Sequence, residues 1–390
     1  MFFSKTGQNA LQAASGRAWL PISSGIAAQH RCLSASPALR AAHILSFGES
    51  SNPKLAELLD HYRTMVILPT YLAPEQRRKI YKEKLKHILQ NDPITMEIDG
   101  VVHKFRYRSR VRDLPSSRDT LKEAFKLIST PADLHNIPPL LAGVVRAGHK
   151  LDPWQYSIFL RRAAELKQVQ LIMDCIRAVE RTGFKLNNSR IINELLVYLQ
   201  QPAIISGWDE AKTKTALKQV RLVLNILESD ESHLPKGKDV GAFPFYRDPQ
   251  VLASRLHMAA ARAVYLKGDK DDDGQVAKYA QELVTLWPED KGLLDLQPDE
   301  SYQKNGPMRY ILDRNSFLFY AAPVLNGLAL AARVVDPDLA KQLQNRAGAV
   351  KAEVQTALGS LEQSEGRGIT LYNAIFNPQE QGEQKAEEKA

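Results

Sequence analysis

The chain has 390 residues, 44% of them hydrophobic and 25% charged, with 21 Gly and 21 Pro. These fractions exclude collagen-like, low-complexity and wholly disordered chains, and the length predicts two or three structural units with ample chain to bury a core. Lysine and arginine number 52 against 44 acids, a surplus of +8 that is unevenly placed.

The first acidic residue is Glu49, and Lys5, Arg17, Arg31 and Arg40 precede it among Ala, Ser and Gly. A basic, Ser-rich start without acids has the composition of a mitochondrial transit peptide, here residues 1–40. Arg31, Leu33 and Ser36 resemble a two-step matrix-processing site, which has Arg, a bulky apolar residue two places on and a hydroxyl residue three places later. That resemblance implies a mature start near Ala41 and a mitochondrial matrix location. Removing residues 1–40 takes away Cys32 and leaves Cys175 alone, so neither a disulfide framework nor a four-cysteine metal site is available. Cys175 is expected to be a quiet, partly buried thiol.

Residues 52–115 are expected to form N-terminal helices plus a basic β-hairpin. Pro53 opens a helix with Leu55, Leu58, Leu59 and Tyr62 on one face; Pro74 opens a second, with Ile80, Leu85, Ile88 and Leu89 apolar among many cations. Ile94, Met96 and Ile98 alternate, Asp99-Gly100 follows, and alternation resumes from Val102 to Val111. Asp-Gly between two alternating runs predicts a tight hairpin turn.

Beyond Ser116 the pattern predicts helix after helix: 118–129, 137–147, 153–166, 168–182, 188–199 and 209–228, together a repeat region over 116–228. The polar stretch 229–249, with Pro235, Gly237, Gly241, Pro244 and Pro249, reads as a linker. A C-terminal helical domain over 250–376 follows, with helices at 250–267, 276–287, 316–333 and 337–362. Residues 377–390 read as a disordered tail. The apolar run from Phe317 to Ala332 spans 16 residues and contains Pro323, Asn326 and Gly327, shorter than the roughly 20 residues of a bilayer-spanning helix; a buried helix is expected. The expected class is therefore mainly α: α-solenoid-like helical hairpins with one short basic β-hairpin near the mature N-terminus.

An internal echo supports that architecture. Gly148-His149-Lys150-Leu151-Asp152 recurs 35 residues later as Gly183-Phe184-Lys185-Leu186-Asn187. Between them lie two expected helices joined by a tight turn around Lys167. The first carries Tyr156, Phe159, Leu160 and Ala163, the second Val169, Ile172, Met173, Ile176 and Val179, one apolar stripe at helical spacing. Trp154 and Ile172 are expected in one core. A helix pair on a fixed period buries its stripe only by stacking on neighbours. Gly-x-Lys-Leu-Asp, the Pro-Trp-Gln-Tyr-Ser helix and Glu180-Arg181-Thr182-Gly183 together resemble one pentatricopeptide repeat, which implies helical-hairpin architecture.

The charge surplus concentrates at the N-terminal side. Residues 77–118 hold twelve basic and five acidic residues, a net +7 that exceeds the +4 of the whole chain after residue 40. If Val102 to Val111 is one strand, Lys104, Arg106, Arg108, Arg110 and Arg112 share a face, opposite Phe105, Tyr107 and Val111. Cations so arranged repel one another unless a polyanion lies across them, and nucleic-acid phosphate suits the planar fork of arginine. The preceding helix adds Arg77, Arg78 and Lys82 to these expected RNA-binding residues.

Other signals carry no chemistry. Asp269-Lys270-Asp271-Asp272-Asp273-Gly274 has the opening of a calcium loop, but position 12 falls on Ala280, where a bidentate Glu is required. Nucleotide-binding glycine motifs, a Gly-x-Ser-x-Gly elbow and His-Glu-x-x-His are missing. The expectation is a non-enzyme without metal, cofactor or small-molecule substrate. Matrix targeting, a helical-hairpin body and a basic hairpin together resemble the peripheral proteins of fungal mitochondrial ribosomes. The resemblance implies a ribosomal protein with mitochondrial rRNA and neighbouring ribosomal proteins as partners. A pentatricopeptide-like RNA-metabolism factor or translational activator, and a respiratory-complex assembly protein, are the alternatives.

Overall fold

The structure, a computed structural model, describes residues 44–98, 100–233, 243–361 and 366–378. The expected presequence, the processing site before Ala41, the tail beyond Pro378 and Asp99 of the hairpin turn lie outside these residues.

Several helices begin where a capping side chain precedes proline. Asn52, Thr130, Asp248 and Asp336 accept backbone N–H groups at the starts of helices that carry Pro53, Pro131, Pro249 and Pro337 in the first turn. The side-chain oxygen satisfies a donor that the helix leaves unpaired, and proline sits where no N–H is needed. Helix α1 (Pro53–Tyr62) continues through a π-helical turn, Arg63–Ile67, and a 3-10 turn, Leu68–Tyr71, before α2 (Pro74–Lys79) and α3 (Lys86–Asn91). Strands β1 (Ile94–Ile98) and β2 (Val101–Phe105) follow, then α4 (Ser117–Leu127), α5 (Pro131–Leu134), α6 (Ile137–Arg146), α7 (Pro153–Glu165), α8 (Val169–Arg177) and α9 (Val179–Thr182). The chain continues through α10 (Ser189–Ile205), α11 (Glu210–Ser229), α12 (Pro249–Lys267), α13 (Gln275–Leu286), α14 (Arg314–Ala331), α15 (Pro337–Gly359) and α16 (Arg367–Phe376). The expected class holds: helices dominate, and the described residues contain one two-stranded antiparallel sheet.

The echoed helix pair is present. Gly148 (φ +78°) and Gly183 (φ +68°) both occupy the left-handed region that lets the chain leave a helix, and Lys167 adopts φ +58° in the turn between α7 and α8. A Cβ at Gly183 would stand 2.8 Å from a Val145 methyl, so glycine also sets how closely α9 approaches α6. Tyr156, Phe159, Leu160 and Ala163 are buried against Ile172, Met173, Ile176 and Phe184 in the main core. Two expectations need correction. Trp154 is only half-buried and stands outside that core, whereas Ile172 is completely enclosed. The expected helix over 168–182 breaks at Ala178 (φ −98°, ψ +39°), where the Thr182 hydroxyl engages the carbonyls of Cys175 and Ala178 instead of solvent.

Residues 234–242 of the expected linker lie outside the described residues. The described residues from Ile44 onward form one compact unit, α11 packs on α12 across the stretch, and one core runs from Leu55 to Leu371. The apolar run becomes α14, which is buried along almost its whole length and packs on α12, α15 and α16. Among the described residues no helix is long and apolar enough to cross a membrane. Helix α16 is held by Arg367, whose guanidinium pairs with Glu194, reaches the Tyr198 hydroxyl and lies 4.6 Å from the Phe319 ring centre. The acidic loop 269–274 is engaged by protein groups: Asp269 pairs with Arg333, Asp273 with Arg262, and Asp271 accepts the Ala277 N–H.

Candidate nucleic-acid interface

A separate small core supports the basic module. Leu68, Leu72, Ile80, Leu89, Ile98 and Phe105 are buried together, with Ile94, Met96, Tyr81 and Tyr107 packed around them. The hairpin register pairs Ile94 with Phe105, Met96 with His103 and Ile98 with Val101. Ile94, Met96, Ile98 and Phe105 turn to that core, Thr95, Glu97, Val102 and Lys104 lie on the outer face, and Val101 is exposed beside the turn. Gly100 in the connection has φ +78°, as a tight hairpin turn requires.

The second strand is shorter than its alternating sequence predicts. The ladder stops where Phe105 faces Ile94, because the next N–H on the β1 side, that of Asp92, donates to Ile88 O at 2.8 Å at the end of α3. Beyond Phe105 the chain leaves β1, runs to Ser109 and then closes a turn, with the Asp113 N–H donating to Ser109 O at 3.1 Å and the Ser109 N–H donating to the Asp113 carboxylate at 2.6 Å. Lys104 and Arg106 do share the outer, exposed face, and Arg110 and Arg112 are exposed in the turn.

Arg108 is the exception. Its N–H donates to Ile80 O at 2.9 Å, and its guanidinium turns inward to Thr64 O at 2.8 Å and Met65 O at 3.2 Å. Those carbonyls belong to the π-helical turn that continues α1, and a fork of N–H donors supplies hydrogen bonds there. Burial lowers the Arg108 pKa from its ordinary value. Arg108 is thus a clamp between the hairpin extension and α1, and the five cations do not form one face. Val111, expected beside Phe105 and Tyr107, is instead 92% exposed.

The expected helix after Pro74 is also interrupted, at Tyr81 and Lys82, because the Ile80 carbonyl is given to Arg108. Arg78 and Lys82 are exposed and Arg77 half-exposed on this broken segment. Tyr81, which the alternation did not mark, carries the Arg110 guanidinium 4.8 Å from its ring centre. Arg77, Arg78, Tyr81 and Arg110 line a cleft of ≈ 540 Å³ that opens between the basic module and the end of α6. The only early signal for it would have been the aromatic at position 81 within the cation run.

Charge pairing divides the molecule sharply. Every ion pair among the described residues, from Arg118–Asp152 to Arg367–Glu194, lies at residue 118 or beyond. The cations of 77–112 have none among those residues. The fold and this charge distribution define a mainly helical protein whose cations over 77–112 form no ion pair among the described residues.

Comparison with known proteins makes the class specific. Residues 31–374 match the family described as mitochondrial ribosomal protein mS27. Over 368 residues the chain is 38% identical to small ribosomal subunit protein mS27 of Neurospora crassa, covering 90% of this chain and 93% of that one. The chain belongs to the mitochondrial ribosomal protein mS27 family, which bears out the resemblance to fungal mitochondrial ribosomal proteins and gives it a mitochondrial location.

Proposed function

We propose that the chain is a non-catalytic protein of the mitochondrial small ribosomal subunit, working in the matrix, that meets rRNA through its basic module and neighbouring proteins through its helical body. The name of the Neurospora relative supports the subunit. The observation that carries the RNA contact is the confinement of ion pairs to residues from Arg118 onward, which leaves Arg77, Arg78, Lys82, Lys104, Arg106, Arg110 and Arg112 without carboxylate partners among the described residues. Arg108 is withdrawn from that set because its donors are used internally. Phosphate contacts of this kind position a protein without reading sequence.

The test is the salt dependence of RNA binding. Each phosphate contact contributes roughly 0.7–0.9 to the slope of log affinity against log salt, so replacing Lys104, Arg106 and Arg112 together by Gln should flatten it by about two to three units. The same variant should leave the small-subunit fraction at lower salt than the parent in sedimentation of matrix lysate. An unchanged slope together with unchanged co-sedimentation would remove the module from the RNA interface.

A further inference from the structure

We propose that the cleft beside the basic module seats an unpaired nucleotide of the RNA, its base stacked at Tyr81 and Arg110 and its phosphates held by Arg77 and Arg78. The inference rests on the RNA contact proposed above and specifies what part of an RNA it takes. At ≈ 540 Å³ the cleft falls within the range of small-ligand sites, roughly 300–1,000 Å³. Its lining combines two features that phosphate binding alone does not need. One is an apolar wall from Val66, Leu72 and Leu114; the other is an aromatic ring already capped by a guanidinium at 4.8 Å. A paired helix offers phosphates but keeps its base faces stacked inside, so neither wall nor ring would be used. A splayed base offers a flat apolar face, and stacking of bases on aromatic side chains is the common device of single-strand recognition.

The cleft also has no carboxylate in its lining, and its three arginines form no ion pair among the described residues. Beside it, Arg146 adds a fourth cation, lying 3.9 Å over the Tyr71 ring and donating to Thr70 Oγ1 at 3.0 Å. A negative ligand is therefore favoured along the length of the cleft. His149 also lines the cleft, its ring fixed by the contact of Nδ1 with Ser117 Oγ.

The experiment compares binding of a short uridine oligomer carrying one 2-aminopurine with binding of an A-form RNA duplex of equal charge, using the full-length protein. The wild type should quench 2-aminopurine fluorescence on binding and prefer the single strand. Tyr81→Leu keeps the apolar contacts and removes the stacking ring; it should abolish the quenching and weaken the single strand about tenfold while leaving the duplex unchanged. Because Tyr81 also packs on the small core, Arg110→Gln, at an exposed position, is the second variant and should likewise abolish the quenching and weaken the single strand about tenfold, while the duplex loses no more than one phosphate contact, a salt-slope change of roughly 0.7–0.9. If both variants bind the single strand and quench as the wild type does, the cleft is not the seat of a base. If wild type binds single strand and duplex alike, with loss only in the Lys104, Arg106 and Arg112 variant, the cleft proposal falls and the RNA contact stands. If the wild type binds neither RNA, the RNA contact itself is refuted. Displacement of RNA by polyglutamate at equal charge concentration would overturn the nucleotide and leave a general anion groove.

Discussion

Arg106 and Arg108 are two residues apart, and a strand would have given them the same role; the structure gives them opposite ones. Replacing Arg108 by Gln removes a charged donor shared between Thr64 O and Met65 O. A hydrogen bond from a charged group contributes about 1.5–3 kcal/mol, and one nitrogen divided between two acceptors counts for less than two such bonds, so a loss of about 2–3 kcal/mol is expected. Because the module has its own small core, that loss should appear first as local opening of the hairpin. Amide hydrogens of β1 and β2 would then exchange roughly 30–150-fold faster, at a factor of ten per 1.4 kcal/mol. Arg106→Gln, at an exposed position with no partner in the hydrogen-bond or ion-pair networks of the described residues, should change stability by no more than about 0.5 kcal/mol. It should instead lower the RNA salt slope by roughly 0.7–0.9. Hydrogen exchange followed by mass spectrometry, with a salt titration of RNA affinity, reads both. Equal acceleration by the two variants, or less than about threefold by Arg108→Gln, would refute the clamp.

Ile172→Ala should destabilise the fold by about 2–5 kcal/mol in a urea melt, since Ile172 is wholly enclosed between the paired helices. Arg367→Met leaves the buried carboxylate of Glu194 with Arg190 alone, at 3.9 Å, and should cost about 3 kcal/mol, whereas pairing it with Glu194→Leu should recover part of the loss; a fully additive double variant would show that the pair is not coupled. Cys175 is buried and its thiol is pushed up to about 12, so alkylation at neutral pH should be negligible until denaturant is added. His257 is held neutral: Nδ1 donates to Gln200 Oε1 at 2.7 Å, Nε2 accepts from Asn326 Nδ2 at 3.0 Å, and burial lowers its pKa to about 3. The unfolded chain then binds a proton that the fold refuses, so this contribution is complete above pH 6.5 and is lost as pH falls toward 3, at up to about 1.4 kcal/mol per pH unit; His257→Gln should remove that component from the pH dependence of stability.

Much of the architecture was written locally. Helix starts at Pro53, Pro153, Pro249 and Pro337 follow from capping residues and proline at adjacent positions, and these depend on a few neighbouring residues alone. The apolar stripe of the 148–187 echo and its two glycines likewise needed no distant information, because 3.6-residue periodicity and positive φ are local properties. The concentration of cations over 77–118 was a fact of composition. What composition could not decide was which cations are free. The alternation from Val102 to Val111 had the pattern of a strand, but a strand needs a partner, and beyond Ile94 the partner's backbone N–H at Asp92 is taken by α3. Arg108 was drawn inward by carbonyls some 44 residues earlier in the chain, and Tyr81 met Arg110 across a break in a helix that the sequence would have continued. The same holds for 229–249, whose polar composition resembles a linker while the helices on either side share one core. Local patterns fix elements; the free faces and the cleft between them follow from long-range packing, which no window along the chain contains.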